Sequence, residues 1–229
     1  MTSNASKKLI ELFYDVVSPY SWFAFEVLCR YKNKWAIDLH LKPVFLGGIM
    51  QKAGNKPPVM VCTNKAIYLP KDVERMSEYM KVDFKLPSDI FGVMFDKGTL
   101  KAQRFITAVD MIDSSFTENV SRILWTRIHR NDEDITEPEN FVMVGKQAGM
   151  KPEILKKAIS QITDDAVKKR LADYTEDALE KGAFGVPTIV AHVNGKQEMI
   201  FGCDRFPILA KILGEKWDGP IPQILQNKL

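Results

Sequence analysis

An apolar run, Leu9-Ile10-Glu11-Leu12-Phe13-Tyr14, passes through Asp15-Val16-Val17 directly into Ser18-Pro19-Tyr20-Ser21-Trp22, which reads as a strand feeding a helix with almost no loop between them. Such a junction aims several unpaired backbone N–H groups at one point. Together with the helix dipole they favour an anion there, and a thiolate is such an anion. Serine is a preferred cap and proline suits the first helical position, so Ser18 and Pro19 serve a helix start in any case. The cap position is also where the anion would lie, and the two roles are compatible. Neither Ser18 nor Ser21 can form a disulfide, so any thiol chemistry at this turn acts on a sulfur brought by another molecule.

A second element lies far along the chain. Gly185-Val186-Pro187-Thr188 opens the apolar run Ile189-Val190-Ala191-His192-Val193, Asn194-Gly195 supplies a tight turn, and Glu198-Met199-Ile200-Phe201 follows before Gly202. This is a strand, a turn and a strand. Pro187 fits two readings: an ordinary proline where a strand begins, or a cis proline.

Between these elements the periodicity is helical. Ile90, Phe91 and Met94, then Phe105, Ala108, Val109 and Ile112, recur at helical spacing. Ser115-Phe116-Thr117-Glu118 and Thr136-Glu137-Pro138-Glu139 have capping-box form, while Gly149 and Gly182 read as helix stops. A strand and helix, a second strand at Ile37 to Phe45, a long helical stretch, two strands and a last helix describe an α/β fold interrupted by an all-helical insertion from about residue 48 to about residue 182.

The serine turn and the proline-opened hairpin together resemble the thioredoxin superfold, where a C-x-x-C pair normally occupies the turn and the residue before a cis proline faces it. Further segments extend the likeness: Gly48-Ile49-Met50, Gly54-Asn55-Lys56-Pro57-Pro58, Arg130 to Pro138, Gly182-Ala183-Phe184-Gly185-Val186-Pro187 and Gly214-Glu215-Lys216-Trp217. In this order they are similar to the kappa class of glutathione transferases, a thioredoxin-like family related to the disulfide oxidoreductase DsbA and to 2-hydroxychromene-2-carboxylate isomerases. The resemblance implies a DsbA-like fold with a thioredoxin-like glutathione-binding domain from residues 1–47 and 183–229, and an inserted helical domain from 48–182.

It also implies a site. Ser18 would be the catalytic residue, donating its hydroxyl hydrogen to the sulfur of glutathione, with Pro19 and Tyr20 beside it. Val186, before a cis Pro187, would pair its backbone with the cysteinyl part. Asn55 and Lys65 would reach the tripeptide from the insertion, and Asp204 beside Cys203 would hold the γ-glutamyl ammonium. Cys203 stands where the family usually has serine, and a thiol is the weaker donor. Helix capping is an equal reading of Cys203-Asp204 from the residues themselves. Glutathione is then a co-substrate, no further cofactor is expected, and the partner substrate is a small hydrophobic electrophile or a peroxide. The family also implies a homodimer. A glutathione-dependent isomerase and a redox-inactive binding or chaperone module are the alternative functions.

Composition sets outer bounds. Across 229 residues, 45% hydrophobic and 27% charged residues suit a globular chain with a sizeable core, and a net charge of +3 is too slight to argue for nucleic acid. The three cysteines, Cys29, Cys62 and Cys203, have neither C-x-x-C nor metal-ligand spacing, and the three histidines, His40, His129 and His192, are scattered, so no metal is expected. The first residues carry no apolar signal core and no run of 18 apolar residues occurs, which argues against secretion and membrane insertion. The final Asn227-Lys228-Leu229 resembles a peroxisomal address, and the kappa class is known from peroxisomes and mitochondria, so a peroxisome or the mitochondrial matrix is expected.

Overall fold

The computed structural model describes residues 7–89 and 92–222. Ile90 and Phe91 of the expected helical pattern, and the Asn227-Lys228-Leu229 tripeptide, lie outside the described residues. Strand β1 (Lys8–Tyr14) leads into helix α1 (Pro19–Tyr31) and strand β2 (Ile37–Pro43). Helices then follow one another: α2 (Leu46–Lys52), α3 (Pro58–Val61), α4 (Thr63–Met80), α5 (Leu100–Asp113), α6 (Thr117–His129), α7 (Pro138–Gln147), α8 (Pro152–Ser160) and α9 (Asp165–Glu180). The chain returns as strands β3 (Thr188–Val193) and β4 (Lys196–Phe201) and helix α10 (Phe206–Leu213). Among the described residues no strand interrupts the helical stretch between β2 and β3.

The sheet has the order β2-β1-β3-β4, with β1 parallel to β2 and antiparallel to β3, and β3 antiparallel to β4. Strand periodicity divides its central residues between two faces. Ile10, Leu12 and Tyr14 of β1, with Ile189 and Ala191 of β3, join the main core, which also takes in buried residues of α1, α5, α6 and α10. Phe13 and Val190 turn to the other face and pack with Ile49 of α2 and Ala178 of α9. Helix α9 therefore covers one face of the sheet although it precedes β3 in the helical stretch. Glu11 faces the same side as Phe13. It is buried, receives Lys181 Nζ and His192 Nε2 at 2.7 Å each, and also pairs with Lys42.

Two expected capping boxes do not form, for one shared reason. In each an aspartate just upstream takes the donor first, as such short side chains readily do. Asp113 accepts the Ser115 N–H at 3.1 Å, and α6 starts after a short 3-10 turn with Phe116 at its cap and no side-chain bond. Asp134 accepts the Thr136 N–H at 2.9 Å, and Glu137 at the cap of α7 makes no side-chain capping bond. The glycine stops are present: Gly149 and Gly182, at φ +77° and +91°, take the left-handed turns that follow α7 and α9.

Candidate functional site

The sheet register gathers three segments at one edge. Phe13 near the end of β1 pairs with Thr188 at the start of β3, which pairs in turn with Phe201 at the end of β4. The turn at 15–18, the loop at 184–187 and the segment Gly202-Cys203-Asp204 therefore leave the sheet together. The Gly202 N–H donates to the Pro187 carbonyl at 3.0 Å, and the Val186–Pro187 bond is cis. Asn55 joins them from the segment after α2, its Nδ2 donating to the Phe184 carbonyl at 2.7 Å.

Ser18 caps α1. Its backbone is extended, Pro19 follows at the first helical position, and Ser18 Oγ accepts the Ser21 N–H at 3.1 Å. A hydroxyl has one hydrogen and two lone pairs, so capping engages an acceptor site and leaves the hydrogen to be given. Cap and thiol donor are thus compatible in geometry as well as in principle. Tyr20 is held differently: its hydroxyl donates to Asp72 Oδ2 of α4 at 2.5 Å, tying α4 to the first turn of α1. Burial, then the Asp72 carboxylate, push the Tyr20 phenol above its ordinary range.

Cys203 is buried, and burial followed by the neighbouring Asp204 charge pushes its thiol up to about 12, which keeps it protonated. The capping reading of Cys203-Asp204 is not realised. The cap position of α10 is Arg205, no side chain caps that helix, and the exposed Asp204 carboxylate pairs with Arg205. Lys65 stands in the first turn of α4 with an exposed side chain, and among the described residues that side chain makes no hydrogen bond or ion pair with the other candidates. Two cavities, of about 160 and 250 Å³, lie elsewhere, and none of these residues lines either one.

The residues missed from the sequence hold the turn from behind. Asp15 is fully buried and accepts from Val17 N at 3.1 Å, Leu46 N at 3.0 Å and Thr99 Oγ1 at 2.7 Å. Gln103, Trp125 and His129 bond to the backbone between Tyr14 and Ser18. The available signal was slight: Gln103 interrupts an apolar helical stripe, and Trp125 and His129 sit four apart on α6.

Comparison with known proteins agrees with this frame. The family model described as DSBA-like thioredoxin domain matches residues 9–214. Glutathione S-transferase kappa 1 of Rattus norvegicus is 47% identical over 222 residues, covering 97% of this chain and 98% of the relative, and the Homo sapiens protein of the same name is 44% identical with the same coverage. Among solved structures, a 2-hydroxychromene-2-carboxylate isomerase superposes with a TM-score of 0.73 at 17% identity, over 96% of this chain and 98% of that one, which is a likeness of fold. The chain belongs to the DSBA-like thioredoxin-domain family and, within it, to the kappa glutathione S-transferases.

Proposed function

We propose that this protein binds glutathione at the edge of the sheet, lowers the pKa of its thiol and transfers the thiolate to a small hydrophobic electrophile. The observation that carries the reading is the buried Ser18 hydroxyl at the start of α1, with a lone pair engaged by Ser21 and its hydrogen still to give. A serine in this place cannot run disulfide exchange but can stabilise a thiolate, helped by the helix terminus. Val186 would offer its backbone to the cysteinyl unit, Asn55 and Lys65 would contact the tripeptide, and Asp204 would take the γ-glutamyl ammonium. Phe184 and Phe201, both partly exposed with ring centroids 4.4 Å apart, give the same edge an apolar shelf suited to a hydrophobic acceptor. Assembly as a homodimer and residence in a peroxisome or the mitochondrial matrix belong to the same proposal, testable by sedimentation and by imaging of a tagged chain.

Glutathione titration followed by thiolate absorbance tests the core of it. The expected result is a thiolate that forms on binding at neutral pH and is consumed by an aryl halide acceptor. Absence of glutathione binding overturns the reading in favour of a binding or chaperone module, and a product of unchanged mass replaces transfer by isomerisation.

A further inference from the structure

The turn between β1 and α1 closes partly on itself, the Asp15 carbonyl accepting the Ser18 N–H at 3.0 Å and the Ser18 carbonyl accepting the Trp22 N–H at 3.2 Å, and its remaining backbone groups need partners from elsewhere. Those partners come from the helical stretch. Gln103 of α5 uses its whole amide: Nε2 donates to the Tyr14 carbonyl at 2.9 Å and the Val44 carbonyl at 2.8 Å, while Oε1 accepts the Val16 N–H at 3.3 Å. On α6, two side chains one helical turn apart reach adjacent carbonyls. His129 Nε2 lies 3.1 Å from the Val17 oxygen and Trp125 Nε1 donates to the Ser18 oxygen at 3.2 Å. A carbonyl only accepts, so His129 carries its hydrogen on Nε2. Its Nδ1 is buried with no hydrogen-bond partner among the described residues, and the ring stacks on Trp22 at 6.3 Å. Burial pushes His129 down to about 4, so the ring stays neutral around neutral pH and the Nε2 donor persists.

We infer that Trp125 and His129, backed by Gln103, are positioning residues for glutathione activation: donors on the helices inserted between β2 and β3 fix the two carbonyls that flank the Ser18 turn and so aim the Ser18 hydroxyl. The inference rests on the proposed role of Ser18. A hydrogen bond to a thiolate weakens steeply with misalignment, and a small displacement of a catalytic donor is costly even when folding survives. Loss of His129 takes from the Val17 carbonyl its side-chain donor, loss of Trp125 leaves the Ser18 carbonyl with the Trp22 N–H of its own helix, and either change lets the turn relax.

The test compares Trp125→Phe, His129→Leu and His129→Gln with the parent and Ser18→Ala, reading the pKa of bound glutathione by thiolate absorbance and the pH profile of kcat with an aryl halide. Trp125→Phe and His129→Leu are expected to raise the bound thiol's pKa by about one unit and lower kcat roughly tenfold at neutral pH, with recovery at higher pH. KM for glutathione should change by less than about twofold. His129→Gln keeps a donor of similar reach and should restore most of the parent pKa. If Ser18→Ala leaves the thiol pKa unmoved, the Ser18 reading fails and this inference with it. If Ser18→Ala raises the pKa while Trp125→Phe and His129→Leu lose only thermal stability, positioning is overturned and Ser18 stands. Should His129→Leu not fold, Trp125→Phe, which keeps the aromatic packing, decides the question alone.

Discussion

The Thr99 hydroxyl donates to the Asp15 carboxylate at 2.7 Å, a bond that joins the cap position of α5 to the turn three residues before Ser18. Asp15 also holds Val17 and Leu46, so one buried group fastens β1, α2 and α5 at a single point.

Its titration should be visible in stability. Burial pushes the Asp15 carboxyl from the usual 3.8 up to about 6, against the three donors that favour its charged form. A raised carboxyl stabilises the folded state fully below 3.8, and the contribution is lost as pH rises through about 6. At about 1.4 kcal/mol per unit the effect is on the order of 3 kcal/mol. Asp15→Asn abolishes this titration, so the parent's stability advantage over the variant should shrink between pH 4 and 6 in urea unfolding. A difference that is flat across that window contradicts the assignment.

Glu11 should act in the opposite sense. Burial pushes its carboxyl up, but the bonds from Lys181, Lys42 and His192 outweigh burial and hold it at about 2. Its contribution is therefore present above the ordinary 4.5 and fades as pH falls toward about 2. Glu11→Gln should be less stable than the parent at neutral pH and converge on it in acid. Acid unfolding midpoints that coincide for the two proteins would remove the network from the acid response.

Ser18→Ala separates the cap that Ser18 makes from the thiolate role proposed for it. Loss of the cap to Ser21 should cost about 0.5 to 2 kcal/mol of stability. Lowering a thiol from about 8.5 by two units takes roughly 2.7 kcal/mol, and one hydroxyl donated to a charged acceptor supplies about 1.5 to 3 kcal/mol of that. Thiolate formation and conjugation at neutral pH should thus fall much further than glutathione affinity. Equal losses in affinity and turnover would make Ser18 a binding residue and nothing more.

What could be read in the sequence was local. The Ser18-Pro19 start of α1 and the Pro187 hairpin carry their signals within a few residues, so strand, cap and turn were legible there. The helical character of the middle was legible for the same reason. The capping boxes failed because Asp113 and Asp134, two residues upstream, compete for the same donors. The support of the turn was not legible, because it comes from far along the chain: Thr99 meets Asp15 across 84 positions and His129 meets Val17 across 112. A polar residue on an apolar helical stripe hints at such a bond without naming its partner. Asp72, which takes the Tyr20 hydroxyl from the solvent-facing helix α4, gave no hint at all.

The γ-glutamyl contact proposed for Asp204 can be tested without touching the sulfur. Asp204 and Arg205 pair with each other, and both side chains are more than half exposed, so the pair contributes little to stability. If Asp204 holds the ammonium of glutathione, Arg205 competes with it for the same carboxylate. Asp204→Asn should weaken glutathione binding by about 1.5 to 3 kcal/mol, the range for hydrogen bonds to charged groups. Arg205→Ala should leave binding equal or slightly tighter, since it frees the carboxylate. Cys203→Ser should also bind at least as well, because a hydroxyl donates better than a thiol. The pKa of glutathione bound to each variant should match the parent, since the thiol lies at the far end of the tripeptide from these residues. Calorimetry on the three variants decides the matter: parent-like affinity in Asp204→Asn, or clearly weaker binding in Arg205→Ala, means that the ammonium lies elsewhere along this edge of the sheet.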